Sequence, residues 1–138
     1  MSLKSKSRQI AVQGIYNILL LAKKPDDVGA FLDELITSAS AKEPIKMDKD
    51  YCRALLDGVL FRESDLEILL EKHAKSKLHS PLVKAILLCG AFELLVMNEI
   101  SPKTIVSEYM GQAELYFDTP ERPFIHAVLD AISKDVRA

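Results

Sequence analysis

Three dipeptides that pair a hydroxyl residue with proline divide the second half of the chain into helices. They are Ser80-Pro81, Ser101-Pro102 and Thr119-Pro120. A serine or threonine side chain satisfies unpaired N–H groups at a helix start, and proline fits the first helical position because no N–H is needed there. Three helices are therefore expected to begin at these points.

Two further helix starts are marked by acidic and hydroxyl residues. Ser64 and Glu67 have the spacing of a capping box, in which each side chain satisfies a backbone N–H of the other residue. The segment Lys24-Pro25-Asp26-Asp27 ends the first helix and places acids in the first turn of the second. Acids at that position complement the helix dipole, so the segment favours a helix start.

Apolar residues between these signals recur with the three-and-four spacing of helices. Among them, Leu87, Phe92 and Leu94 are expected to lie in the core. No stretch alternates as a strand would, so the chain is predicted to be all-α. It is expected to form one compact domain over residues 1–138, with residues 1–3 disordered or foreign to the natural chain. About seven helices are predicted, over residues 4–22, 26–40, 48–62, 64–77, 81–97, 102–117 and 120–136.

Composition limits the class of protein. With 49% hydrophobic residues the chain can bury a core, but its longest nearly uncharged stretch, residues 85–97, contains Glu93 and is too short to span a membrane. The basic N-terminus leads into polar residues, unlike a signal peptide, so a cytoplasmic protein with no membrane partner is predicted. Cys52 and Cys89 lie in apolar helical patterns and are expected to be buried, reduced thiols.

Catalytic and metal-binding motifs are not apparent in the sequence. It contains no nucleophile motif, no glycine-rich phosphate loop and no clustered metal ligands. His73, His79 and His126 are scattered, which favours surface or packing roles. The prediction is therefore a protein with no catalytic residue, no metal ligand and no cofactor.

The basic prefix of the chain is electrostatically unusual. Residues 1–24 carry five cations and no acid, although the net charge of the whole chain is −2. Lys4, Lys6 and Arg8 lie where the first helix starts, and cations are unfavourable at that positive end of the helix dipole. Either these charges sit on a solvated tail, or they meet a negatively charged partner.

Two residues that follow the prefix favour the second alternative. Gln13 and Tyr16 come one and two turns after Arg8, where an amide and an aromatic ring could lie beside bases. Exposed bases of single-stranded RNA stack on aromatic rings and form hydrogen bonds along their edges. The combination predicts RNA binding, with phosphate contacts from the prefix and base contacts from the helix.

The sequence resembles the NusB family of bacterial transcription antitermination factors along nearly its whole length. The first helix of the family reads R-x-A-R-x-x-A-x-Q-x-L-Y, and Arg8, Ala11, Gln13 and Tyr16 fall in register with it. The likeness continues through "LLDGVL", "VKAILLCGAFELL", "SPKTIVSEYMGQAELY" and "FIHAVLDAI". The resemblance implies two small helical bundles with seven helices in all, in agreement with the helix count above.

The resemblance also implies a function. It suggests a non-enzymatic factor that joins the ribosomal protein NusE, binds boxA-type single-stranded RNA in nascent ribosomal RNA transcripts, and acts in the RNA polymerase antitermination complex. Some members of the family form homodimers that hide the RNA surface. The RNA-binding residues that the resemblance implies are Lys4, Lys6 and Arg8 for phosphates, Gln13 and Tyr16 for bases, Lys84 as a further cation, and Phe124 as an aromatic surface.

Some polar positions depart from the family pattern. Those positions are Leu88, Ser107, Glu114, His126 and Ala127. Two alternatives therefore stay open. One is an RNA-binding appendage of a ribosomal RNA cytosine methyltransferase, in which a large Rossmann-like domain would follow this one. The other is a protein-interaction scaffold that has kept the fold and lost RNA binding.

Overall fold

The computed structural model describes residues 2–39, 44–75, 80–118 and 120–137. Within these residues the chain forms seven α-helices and no strand, which confirms the predicted all-α fold. The helices are α1 (Leu3–Leu21), α2 (Val28–Ala39), α3 (Lys49–Phe61), α4 (Glu63–Ala74), α5 (Pro81–Val96), α6 (Pro102–Tyr116) and α7 (Glu121–Val136).

Two of the three hydroxyl–proline signals begin helices as predicted. The Ser80 hydroxyl accepts a hydrogen bond from the backbone N–H three residues later, at 3.3 Å, and Ser101 does the same at 3.2 Å. Thr119 lies outside the described residues, as do the predicted ends of the second and fourth helices at 40 and 77. The last helix begins at Glu121, one residue after the predicted start at Pro120.

The capping box predicted at Ser64 is wrong. Helix α4 begins one residue earlier, at Glu63, so Ser64 lies within its first turn. The N-cap is Arg62, which also ends α3 and makes no side-chain capping bond. Because α3 and α4 meet at this one shared residue, Ser64 has no non-helical position from which to cap a helix.

Helix α5 is the centre of the fold. Helices α1, α3, α4, α6 and α7 all pack against it. Helix α2 packs on α1 and α3 to complete one bundle, while α6 and α7 pack on each other in the second. Both bundles bury their apolar side chains in one continuous core.

The expected core residues are buried. Leu87 and Leu94 have no exposed surface, and Phe92 is 4% exposed. Cys52 and Cys89 are buried free thiols, as predicted, and burial raises the pKa of the Cys52 thiol to about 12. A thiol with so high a pKa stays protonated and unreactive at neutral pH.

Among the helices that the structure describes, none is both long enough and apolar enough to cross a bilayer.

The end of α5 is closed by a residue from far along the chain. The Arg137 guanidinium donates to the carbonyl oxygens of Leu94 at 2.6 Å, Met97 at 2.8 Å and Ile100 at 3.1 Å. Carbonyls in the last turn of a helix have no partner within the helix. Arg137 satisfies the Leu94 carbonyl of that turn and two carbonyls that follow the helix, and it ties the end of α7 to the end of α5.

The packing of α3 on α5 predicts opposite effects for two glycine substitutions. A Cβ atom at Gly58 would lie 2.2 Å from the Phe92 ring, which is held in the core, whereas one at Gly111 would meet nothing within 4 Å. Gly58→Ala is expected to lower the free energy of unfolding by about 1–2 kcal/mol, because overpacking outweighs the gain in helix propensity. Gly111→Ala is expected to raise it by about 0.5–1 kcal/mol.

Urea unfolding monitored by circular dichroism measures both changes in the glycine pair. The denaturation midpoints should move in opposite directions with unchanged slopes. Shifts of the same sign for the two variants would contradict the close contact between Gly58 and Phe92.

Candidate nucleic-acid interface

The basic prefix is part of an anchored helix. Ser2 is the N-cap of α1 and Leu3 is its first residue, although both were expected to belong to a disordered or foreign leader. The Ser2 hydroxyl accepts a hydrogen bond from the Ser5 N–H at 3.0 Å. The Ser5 hydroxyl donates to Glu108 of α6 at 2.8 Å. The Ser7 hydroxyl accepts from the backbone N–H that precedes α3, at 2.8 Å. Hydroxyl groups on two sides of α1 therefore fix its first two turns to α3 and α6.

Arg8 is buried in the interior, which corrects the expectation that it contacts a phosphate. Arg8 as a whole is only 2% exposed. Arg8 Nε donates to Glu93 Oε2 at 2.8 Å and Nη2 donates to Glu93 Oε1 at 3.0 Å, a two-pronged pairing. Its remaining nitrogen, Nη1, lies 3.3 Å from Glu108 Oε1. Each of the three guanidinium nitrogens of Arg8 thus has a partner within the protein, and the buried group does not face the solvent from which RNA would approach.

Glu93 is the acceptor around which this buried cluster forms. It has no exposed surface, and it also accepts hydrogen bonds from the hydroxyl groups of Tyr51 and Tyr109. Burial raises the pKa of both tyrosines, and the nearby carboxylate raises it further. For Arg8, burial acts to lower the pKa, but the hydrogen bond and charge of Glu93 more than offset this and the pKa is raised. The cluster joins α1, α3, α5 and α6 through a fully paired ionic group.

Lys4 and Lys6 remain on the surface. Lys4 is exposed, and its Nζ lies 5.1 Å from the centroid of the Tyr51 ring. Lys6 is partly exposed, and its Nζ donates to Gln9 Oε1 at 3.0 Å. Neither lysine forms an ion pair within the described residues. Both charges are available to a negatively charged partner.

Gln13 and Tyr16 lie further along α1. Gln13 lies seven residues after Lys6 and four residues after Gln9 on α1, so these side chains share one partly exposed face of the helix. Gln13 Nε2 donates to the Tyr116 hydroxyl at 3.3 Å, which places the end of α6 beside it. Tyr16 is half-buried and packs in part against the core. Only part of its ring is therefore free for stacking.

Lys84 and Phe124 lie on other helices. Lys84, at the start of α5, is paired with Glu67 through a contact of 2.7 Å between Nζ and Oε1. Because an α-helix rises 1.5 Å per residue, Lys84 lies about 13 Å from Glu93 along α5. Phe124 is half-buried near the start of α7, and Arg122 ties that start to the end of α6 by donating to the Phe117 carbonyl at 2.9 Å. The structure thus places Phe124 at the start of α7, beside the end of α6, and leaves Lys84 partnered.

The departures from the family pattern lie on α5, α6 and α7. Leu88 is 1% exposed and belongs to the core. Ser107 and His126 line an open groove of about 420 Å³ between α6 and α7, together with Met110. Glu114 and Ala127 are exposed.

The histidines and acids do not assemble a metal centre within the described ranges, where no group of three possible ligands was found. His73 Nε2 lies 2.7 Å from Asp135 Oδ2 and links α4 to α7 at the surface. His79 lies outside the residues that the structure describes.

Sequence reasoning missed the residues that fix the prefix in place. Tyr51, Glu108 and Tyr109 were not singled out, and only Glu93 gave a signal. It is the sole acid in residues 85–97, an otherwise uncharged stretch. A carboxylate on a buried helix face requires a partner. That requirement could have pointed to one of the three cations of the prefix.

Comparisons with known proteins agree with this architecture. A sequence model described as the NusB family matches residues 5–134. The transcription antitermination protein NusB of Nitrosomonas europaea is 30% identical over 134 residues, covering 96% of this chain and 77% of that protein.

Two solved structures share the fold. A crystal structure of antitermination factors NusB and NusE in complex with dsRNA matches with a TM-score of 0.77 at 19% identity, over 95% of this chain and 96% of that chain. A crystal structure of a plectonemic RNA supercoil matches with a TM-score of 0.82 at 20% identity, over 98% of this chain and 96% of that chain.

Proposed function

This chain belongs to the NusB family, and we propose that it is a transcription antitermination factor that binds boxA-type single-stranded RNA together with the ribosomal protein NusE. The observation that carries the RNA-binding proposal is the exposed face of α1. It presents two unpaired lysines and two glutamines, and residues 1–24 contain no acid that would repel phosphate. In this role the protein is non-enzymatic and works in the cytoplasm as part of the RNA polymerase antitermination complex.

The proposed contacts divide into phosphate and base contacts. Lys4 and Lys6 neutralise phosphates and fix the position of the strand without reading its sequence. Gln13 offers both a donor and an acceptor to base edges, and the free part of the Tyr16 ring offers a stacking surface. Phe124, near the start of α7, adds a second aromatic surface.

Lys84 is expected to contribute less than the lysines of α1. Its ammonium group already pairs with Glu67 at 2.7 Å. A phosphate would have to displace that carboxylate, so part of the electrostatic gain is lost.

Salt dependence tests the phosphate contacts. Replacing Lys4 and Lys6 together with glutamine is expected to weaken RNA binding and to lower the slope of log affinity against log salt by about 1.4, because each lost contact removes about 0.7. Filter-binding titrations at several salt concentrations, with and without NusE, measure this slope. The free energy of unfolding should stay the same or rise slightly, since cations at the positive end of α1 are removed.

A matched control replaces Lys103 and Lys134, which are exposed on α6 and α7, with glutamine. This variant carries the same change in net charge but should keep the slope of the unmodified protein. An unchanged affinity and slope for the Lys4 and Lys6 variant, alone and with NusE, would refute the proposed phosphate contacts.

A further inference from the structure

Tyr51, in the first turn of α3, lies between the buried cluster and the exposed prefix. Its ring centroid is 5.1 Å from Lys4 Nζ and 5.4 Å from the guanidinium carbon of Arg8. Cations within about 6 Å of a tyrosine ring are attracted by the negative charge of its face. The same ring therefore contacts one interior cation and one surface cation.

The ring of Tyr51 is held from two directions. Its hydroxyl donates to the buried Glu93 carboxylate and accepts from Arg8 Nη2 at 3.2 Å. Its backbone N–H donates to Asp48 Oδ1 at 3.0 Å, and the backbone of Asp48 is in turn bonded to the Ser7 hydroxyl of α1 at 2.8 Å. With its backbone and hydroxyl both fixed, the ring forms a rigid surface under Lys4.

We propose that Tyr51 is a positioning residue for RNA binding, which holds the Lys4 ammonium group over its ring so that it is already placed for a phosphate. This inference rests on the proposed function. A free lysine side chain has four flexible carbon–carbon bonds and loses much of this freedom when it binds. A lysine that is already held in place loses less, so the phosphate contact is tighter. Among the described residues, no aromatic ring lies beneath Lys6, which therefore serves as an internal comparison.

Four single substitutions and their combinations test the coupling between the ring and Lys4. Tyr51→Leu removes both the ring and the hydroxyl, whereas Tyr51→Phe removes only the hydroxyl. Lys4→Gln and Lys6→Gln each remove one charge. Binding of a boxA-type RNA in the presence of NusE is measured for all variants, at a temperature where circular dichroism shows each to be folded.

The expected result is a coupling confined to Lys4. Tyr51→Leu should weaken RNA binding about two- to fivefold relative to Tyr51→Phe, because a Lys4 side chain that is no longer held over a ring loses more freedom when it binds a phosphate. Lys4→Gln should weaken binding less in the Tyr51→Leu protein than in the Tyr51→Phe protein. Lys6→Gln should weaken binding by the same factor in both.

Two results would overturn the inference while leaving the proposed function intact. In the first, the unmodified protein binds RNA, but the effects of Tyr51→Leu and Lys4→Gln on affinity are additive. Additivity would mean that Tyr51 stacks on a base itself or acts only on stability. The other concerns the unmodified protein alone. Its Lys4 side-chain methylene protons should show an upfield ring-current shift in NMR spectra, and the absence of that shift would show that the ammonium group does not lie over the ring. Failure of the unmodified protein to bind RNA with NusE would overturn both the inference and the proposed function.

Discussion

Replacing Arg8 with methionine is expected to lower the free energy of unfolding by about 3–5 kcal/mol, the usual cost of removing one partner of a buried ion pair. Methionine keeps much of the length of the side chain but none of the donors. Glu93, with no exposed surface, would keep two tyrosine hydroxyls and lose the one cation that pairs with it among the described residues. The helix dipole alone predicts a change of the opposite sign in the free energy of unfolding. Arg8 lies near the positive end of α1, where the loss of a cation should stabilise the helix slightly. Urea unfolding decides between the two.

Lys6→Met provides the control for the Arg8 substitution. It removes a cation from the same turn of α1, but at a partly exposed position without an ion pair in the described residues, and should change the free energy of unfolding by no more than about 0.5 kcal/mol. The double variant Arg8→Met with Glu93→Gln should lose less stability than the sum of the two single variants, because no unpaired charge remains buried. A loss below about 1 kcal/mol for Arg8→Met would contradict the buried pair.

The second large effect is expected at the centre of α5. Leu94→Ala should lower the free energy of unfolding by about 2–5 kcal/mol, because the removed side chain has no exposed surface and leaves a cavity in the shared core. Leu115→Ala is the matched control, since Leu115 is 51% exposed on α6 and should change stability by no more than about 0.5 kcal/mol. Thermal or urea unfolding measures both. A cost below about 0.5 kcal/mol for Leu94→Ala would mean that this face of α5 does not point into the core.

The helices could be predicted from the sequence because their signals are local. The serine before Pro81 and the serine before Pro102 cap their own helices through bonds to residues three positions away. Prediction failed at Ser64, where the outcome depends on a neighbouring helix. Helix α3 ends at Phe61 and leaves only Arg62 between itself and α4. A pattern within one helix does not contain that information.

The candidate interface was only partly predictable, for a related reason. Lys4, Lys6 and Arg8 alternate with serines in one short segment, and nothing local separates the arginine from the lysines. The distinction depends on Glu93, which lies 85 positions further along the chain. Whether a polar residue faces RNA or the interior is decided by such distant partners, so the sequence could identify the basic segment but not the role of each cation.

The pairing of Arg8 with Glu93 also has a consequence for how the protein is made. Ribosomes add roughly 5–20 residues per second, so about 4–17 s separate the synthesis of Arg8 from that of its carboxylate partner. During that interval α1 has neither the counter-ion for its guanidinium nor the helix that covers its apolar face. Helix α1 can therefore reach its final environment only after α5 has emerged, and the lysines that α1 carries are placed at that late stage.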